Sequence, residues 1–432
     1  MQKILDFYKN GISYHVFKFN GNGNLNGNEH TTIKDVGAYE TIEYAVNLGA
    51  NVIVNVTSGN NGEALKNAAL QYNSNKSLEE RVKLVHIIGL NDPEKESGLR
   101  DSSIDGFDYS IPYTFKDMNK KWLTEEGRIS IAKEVLKEHD NNFKVKGIID
   151  VTHHIPKEYI KQAEEILLHT VNGKHLDYLV VPVGTGRTFM AFYTGLINLQ
   201  YQDVKINTKL LGIVPKGEHP ITNNFVFDEI KDGTIERIIE NYNPVSPADK
   251  LSCPYTDLLP HLQMARAHGH KFISLDGDMV KKANKTAFNY GRKSTKNMPN
   301  SLELEDSASV GFSLIDDELA EKAGIKNSDN VGIFITGMGL YASPSWVKEK
   351  IKIERRQEMF KKVKTTVKNA ASDLIVAGGL VALAASGWYL YYARQNFMYE
   401  QKVEMINQIM PYDKSMSEAL EEKGKEHGIN PN

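Results

Sequence analysis

An α/β fold with open parallel sheets in two lobes, followed by one apolar C-terminal helix, is what the sequence predicts. Three observations lead there. Strand-like apolar runs alternate with helix-like stretches, which is the pattern of an open α/β sheet. Several of those runs are continuously apolar, as expected of parallel strands covered on both faces. The chain has 432 residues, more than one ordinary domain, and its character changes abruptly near residue 346.

The elements follow in order. ANVIVNV (50–56) reads as a buried strand and runs through VTSGNNGEAL into the helix-like EALKNAALQY. TIEYAVNLGA (41–50) reads as the helix before it. VKLVHII (82–88), KGIIDVT (146–152), DYLVVPV (177–183), KLLGIVP (209–215), KFISLDG (271–277) and NVGIFITG (330–337) read as further strands. PKEYIKQAEEILLHTV (156–171) reads as a helix between two of them. The Gly/Asn-rich GNGNLNGN (21–28) reads as a surface insertion without a phosphate-binding pattern.

The tail is different. Between Lys348 and Lys368 there are nine Lys or Arg and only three Glu. Residues 374–393, LIVAGGLVALAASGWYLYYA, carry no charge over twenty positions. At 1.5 Å per residue this is roughly 30 Å of helix, about one hydrocarbon core. Trp388, Tyr389, Tyr391 and Tyr392 crowd one end like an interfacial aromatic belt. The basic stretch 346–373 before the span, against the polar and slightly acidic 394–432 after it, predicts a single-pass membrane protein with its N-terminal part cytoplasmic. Gly378, Ala382 and Ser386 fall four apart and allow two such helices to approach closely, in keeping with a homodimer.

Bulk properties exclude several classes. The formal net charge is −3, so no overall field argues for nucleic acid. The single cysteine, Cys253, excludes an intramolecular disulfide framework and a multi-thiolate metal site, and reads as a packing or loop residue rather than a nucleophile. The start, MQKILDFYKN, has no apolar core of a secretory signal. His153 and His154 are neighbours that face opposite ways on a strand, so no shared metal site is expected.

Four pieces carry candidate chemistry. Thr57-Ser58-Gly59-Asn60-Asn61-Gly62 offers hydroxyls, carboxamides and bare amides at a strand end that opens onto a helix. That suits an anionic or polar ligand, and equally an ordinary turn with its N-cap. Gly184-Thr185-Gly186-Arg187-Thr188 follows a strand in the same way and would cradle a phosphate on backbone N–H groups, with Arg187 adding charge. Lys34 sits behind two threonines in the first turn of a helix, where an amine near a phosphate pocket could take an aldehyde cofactor. Thr336-Gly337 ends the last strand, in IFITGMGLYASP.

Taken in order, Thr-x-Lys-Asp, Thr-Ser-Gly-Asn-x-Gly, Gly-Thr-Gly-x-Thr and Thr-Gly-x-Gly-Leu resemble the tryptophan-synthase-β-like, or fold type II, pyridoxal 5'-phosphate enzymes over residues 12–345. The resemblance implies that Lys34 is the Schiff-base lysine and proton-transfer base, and that Asn60 partners the cofactor's ring hydroxyl. It implies that Thr57, Ser58 and Asn61 close on the substrate carboxylate. Gly184, Thr185, Gly186, Arg187 and Thr188 would hold the cofactor phosphate, and Thr336 would face the pyridine nitrogen. It also implies a large domain from 1–29 and 146–345 and a small one from 30–145 that carries the lysine and the asparagine loop. The substrate would be a small amino acid undergoing β/γ-elimination or replacement.

Within that family TGMGL and LELEDSASVGFSL (302–314) are most similar to threonine synthase, which converts O-phosphohomoserine to threonine. The sequence departs from the pattern at Val36, where arginine is usual, at Arg187, where glycine is usual, and at Asp306 and Met338. A β-replacement enzyme of the cysteine-synthase or cystathionine-β-synthase kind is an alternative. A membrane-tethered binding protein on an inactive fold of this kind is another.

Overall fold

The computed structural model describes residues 2–19, 33–57, 60–90, 108–114, 122, 124–221, 246–248, 251–253, 256–294 and 304–336. All lie in the first of the two units into which the chain divides, Met1–Pro344. Two sheets organise it.

The larger sheet has six strands. β1 (Gln2–Lys9) and β2 (Ile12–Lys18) form an antiparallel hairpin. Its turn is Asn10-Gly11, with φ of 51° and 82°. Positive φ at both central residues is the geometry of a tight primed turn, whose twist matches that of the strands. β9 (Tyr178–Pro182), β10 (Lys209–Pro215), β11 (Lys271–Leu275) and β12 (Asn330–Phe334) complete the order β1-β2-β12-β9-β10-β11, parallel from β2 onward. Successive side chains go to opposite faces. Leu179, Val181, Leu210, Val214 and Phe334 join one core, whereas Val180, Leu211, Ile213, Val331 and Ile333 join another. Both faces are therefore dry, which is why these strands read as continuous apolar runs.

The smaller sheet has four parallel strands in the order β5-β4-β3-β6: β5 (Asp108–Thr114), β4 (Lys83–Leu90), β3 (Val52–Thr57) and β6 (Ile148–Asp150). Helices α1 (Ala38–Asn47) and α2 (Asn60–Asn73) cover one face through Ile42, Ala45, Leu65 and Ala68. Helix α3 (Glu125–His139) covers the other through Ile131, Ala132 and Leu136. On the larger sheet, α4 (Lys157–Leu167), α5 (Arg187–Tyr201) and α6 (Leu259–Ala267) pack on one face. The opposite face carries α7 (Gly277–Ser294), α8 (Asp306–Ser309), a 3-10 segment Val310–Ile315 and α9 (Asp317–Ala323).

Four differences from the sequence reading stand out. The strand in KGIIDVT, expected in the larger lobe from residue 146, pairs with β3 and belongs to the smaller sheet. Helix α4 stops at Leu167, because β7 (Thr170–Val171) turns back on β8 (Lys174–His175) as a two-stranded ribbon. Helix α1 starts at Ala38 and ends at Asn47, three residues earlier at each end than 41–50. The N-terminal hairpin was legible in Asn10-Gly11 yet is absent from that reading. GNGNLNGN and everything from residue 337 onward, including the span 374–393, lie outside the described residues. Among those described, no helix is long and apolar enough to cross a membrane.

Candidate active site

Ligand sites in open parallel sheets form beyond the carboxyl ends of the strands. Three strand ends matter here. β3 ends at Thr57 and leads into α2, β9 leads through Gly184-Thr185-Gly186 into α5, and β12 leads to Thr336. β9 and β12 are neighbours in the larger sheet, so their ends lie side by side.

Lys34 arrives from far away in sequence. It sits, half-buried, in a 3-10 turn, Ile33–Asp35, and the Ile33 N–H donates to the Thr336 carbonyl at 3.0 Å. The Tyr159 hydroxyl of α4 donates to the Ile33 carbonyl at 2.7 Å. Ile33 and Val36 are buried in the core of the larger lobe, and Ala38 and Ile42 in that of the smaller. The lysine turn is thus pinned where the chain crosses between lobes. Gly37, with φ 74°, lets this crossing pass Pro156: a Cβ there would come within 2.4 Å of the proline Cβ. Val36 is 1% exposed in apolar packing. Val36, read from the sequence as a lost arginine, is therefore a core residue, packed away from the lysine's side chain.

The Gly184 turn is oriented by its carbonyls. The His219 Nε2–H donates to Gly184 O at 2.7 Å, and Nδ1 of the same ring accepts from Ile221 N–H at 3.2 Å, which sets the tautomer. Burial pushes the His219 pKa down to about 4, against a smaller upward pull from the Gly184 carbonyl. The Thr256 hydroxyl donates to Thr185 O at 2.6 Å. In a trans peptide C=O and N–H point opposite ways. Tying back these two carbonyls therefore turns the N–H groups of Thr185 and Gly186 the other way. Gly186 has φ 93° and caps α5 without any side-chain hydrogen bond. A Cβ on Gly186 would meet Leu262 at 3.1 Å. Uncapped amides at a helix N-terminus form an anion site.

Across the cleft, Thr57 is buried and its Oγ1 accepts from Gly62 N–H at 2.9 Å, so this hydroxyl supports the first turn of α2. Asn60 opens that helix. Asn61 Oδ1 accepts from Arg187 Nη1 at 3.2 Å, a direct bond between the N-termini of α2 and α5. Arg187 is buried, lies over the Tyr159 ring at 5.9 Å from its centroid, and has its pKa lowered by burial. His154 stacks on Tyr44 at 4.1 Å, and burial, followed by the Arg187 charge, pushes its pKa down to about 4. Ser58, Gly59 and Gly337 lie outside the described residues.

A network without a local sequence signature joins these turns from behind. The Val56 N–H donates to Thr152 Oγ1 at 2.9 Å, and the Thr152 hydroxyl donates to Asp150 at 2.5 Å. Arg128 of α3 pairs with Asp150 at 2.8 Å and with Asp257 at 2.6 Å, and also donates to the Trp122 carbonyl at 3.0 Å. Asp257 adjoins Thr256, which holds the Gly184 turn, and lies 2.9 Å from His153 Nδ1. Burial would raise the Asp257 pKa, yet His153 and Arg128 outweigh it and hold it at about 2. Arg128 carried no local motif. His219 and Tyr159 did carry a signal, one just past a strand end and one on a helix already recognised. Cys253 is buried, as a packing residue should be.

The fold and site define a class: a two-lobed α/β chain in which a lysine turn meets one strand end and two helix N-termini face each other through an arginine and an asparagine. No family model and no curated protein matches the chain. Solved structures similar to it include a pyridoxal 5'-phosphate-dependent aspartate racemase, at 14% identity and TM-score 0.48 over 76% of this chain and 84% of that one. Maize serine racemase is similar at 15% identity and TM-score 0.48, over 80% and 88%. A hydrogen sulfide-producing enzyme from Fusobacterium nucleatum is similar at 16% identity and TM-score 0.49, over 78% and 94%.

Proposed function

We propose that the chain binds pyridoxal 5'-phosphate through Lys34 and carries out elimination or replacement on an amino acid. The observation that carries this is the Ile33–Thr336 bond, which seats the one lysine of the Thr-x-Lys-Asp motif at the strand end beside the Gly184 turn. The residues suit the group. Uncapped amides at Gly184–Thr188 suit a phosphate, and Gly186 leaves room where a side chain would crowd Leu262. Bound there, the cofactor supplies an electron sink for the pair left at Cα.

The remaining chemistry belongs to the chain. Lys34 Nζ would hold the cofactor's aldehyde and serve as the base for the Cα proton. Thr336 would offer a hydroxyl to the pyridine nitrogen, and Asn60 a carboxamide to the ring hydroxyl. Thr57, Ser58 and Asn61 would close with the α2 N-terminus on the substrate carboxylate, which that helix end favours. The finer assignment is a threonine-synthase-like enzyme acting on O-phosphohomoserine, supported by the TGMGL and LELEDSASVGFSL segments. Cysteine-synthase-like β-replacement is the second enzyme reading. An inactive binding protein is the non-enzyme reading, and Lys34 argues against it.

The test is direct. Full-length protein purified in detergent should absorb visible light from bound cofactor, and borohydride reduction should fix the label on Lys34. Colourless protein after incubation with the cofactor, or a label on another lysine, defeats the proposal. We also propose a homodimer anchored by residues 374–393, with the catalytic part cytoplasmic. It is supported by the uncharged run and the basic stretch before it. Carbonate washing should leave the full chain in the membrane, and its release would overturn the anchor.

A further inference from the structure

Arg187 is the unexplained charge of the cleft. It is only 6% exposed. Its Nε has no hydrogen-bond partner among the described residues, and no described carboxylate pairs with it. What surrounds it is Asn61 Oδ1 at 3.2 Å and the face of Tyr159. Asp150 acts on it only from a distance.

Its position makes the charge harder to hold. Arg187 is the first residue of α5, and Asn61 is the second residue of α2. Each helix N-terminus carries roughly half a positive charge, so the guanidinium lies beside two positive poles. A buried cation with no anion is strongly disfavoured unless a ligand supplies one. Arginine presents five N–H donors in a planar fork suited to carboxylate or phosphate.

The side chain also chooses a direction. The backbone amides of the Gly184 turn are sufficient for a phosphate, and the Arg187 amide is one of them. The guanidinium instead leaves its own helix and reaches α2, the substrate side of the cleft. We propose that the Arg187 side chain is the receptor for a second anionic group on the amino-acid substrate. It thereby selects acidic amino acids, with a carboxylate or phosphate in the side chain, over their neutral isosteres. This rests on the reading of the cleft as an amino-acid site.

Calorimetric titration of the full-length protein in detergent tests it, with and without added pyridoxal 5'-phosphate. The ligand pairs are L-aspartate against L-asparagine and O-phospho-L-serine against L-serine. The native protein should prefer the acidic member of at least one pair by about tenfold or more, the worth of one charge-assisted contact. Arg187→Met should reduce that preference to about twofold, and Arg187→Lys should restore part of it. The visible spectrum of each variant, read separately, reports the cofactor. Native protein that binds acid and isostere equally, or binds neither, overturns the proposal. So does an Arg187→Met variant that keeps the preference, or one that keeps it while losing cofactor, since the guanidinium would then serve the cofactor phosphate. Failure of the cofactor reading shows as colourless native protein, whereas the calorimetric preference still decides the role of Arg187.

Discussion

Replacing Arg128 with leucine should be among the most damaging single changes in the chain, although it lies outside the cleft. The side chain is 2% exposed and holds two carboxylates, Asp150 and Asp257. Leucine fills much of the volume and leaves Asp150, itself 5% exposed at the side chain, with Thr152 as its remaining partner among the described residues. Asp257 is about a third exposed and keeps His153, so it adds less. Removing one partner of a buried pair costs about 3–5 kcal/mol, chiefly from the stranded charge. Arg128→Leu should therefore lower the free energy of unfolding by about 3–5 kcal/mol, read from urea unfolding followed by tryptophan fluorescence. Adding Asp150→Asn removes the stranded charge and should recover about 1–2 kcal/mol. The pH dependence has a definite sign. Asp257 has a folded pKa of about 2, below the ordinary 3.8. Its contribution is present above pH 4 and is lost as pH falls toward 2, so the gap between native and variant should narrow there. The reasoning is refuted by a loss under about 1 kcal/mol, or by a double variant no more stable than the single one.

Gly186→Asp forces a side chain onto φ 93°, crowds Leu262 and adds negative charge, so pyridoxal 5'-phosphate affinity in equilibrium dialysis should fall by about tenfold or more. His219 is buried neutral with a pKa of about 4. Because the unfolded chain takes up its proton near the ordinary value of 6.5, stability should fall as pH drops from 6.5 toward 4. About 2 kcal/mol of that loss should have appeared by pH 5, and His219→Gln should flatten the loss in urea midpoints at pH 7 and 5. Tyr159→Phe removes the hydroxyl that holds Ile33 O. It should cost about 1–2 kcal/mol in the same assay, and proteolysis between Ile33 and Gly37 should quicken.

Local physics made some of this protein legible from its sequence. β10 spans Lys209–Pro215, the bounds its apolar run predicts, because a strand dry on both faces must be apolar at every position. The Gly184 and Thr57 turns were legible for a related reason. Bare amides at a strand-to-helix junction require Gly, Asn, Ser or Thr, and those residues concentrate in few places. The Asn10-Gly11 turn was equally open to reading, since two positive φ values in a row have few residue solutions.

Contacts between distant segments had no local signature, and tertiary structure alone decided them. β6 follows a loop that reads as a lobe boundary, yet its register with Val52–Val54 puts it in the smaller sheet. Val36 reads as a lost charge beside the site, and packing shows it to be core. Arg128 matters only because Asp150 and Asp257 close on it from two lobes. The same holds for Arg187: its residue type suggested an anion, but the lack of a carboxylate partner among the described residues and its bond to Asn61 emerge only when α2 and α5 are brought end to end. Periodicity and turn chemistry act over a few residues and are written in composition, whereas a buried charge acquires its meaning from partners that the fold brings together.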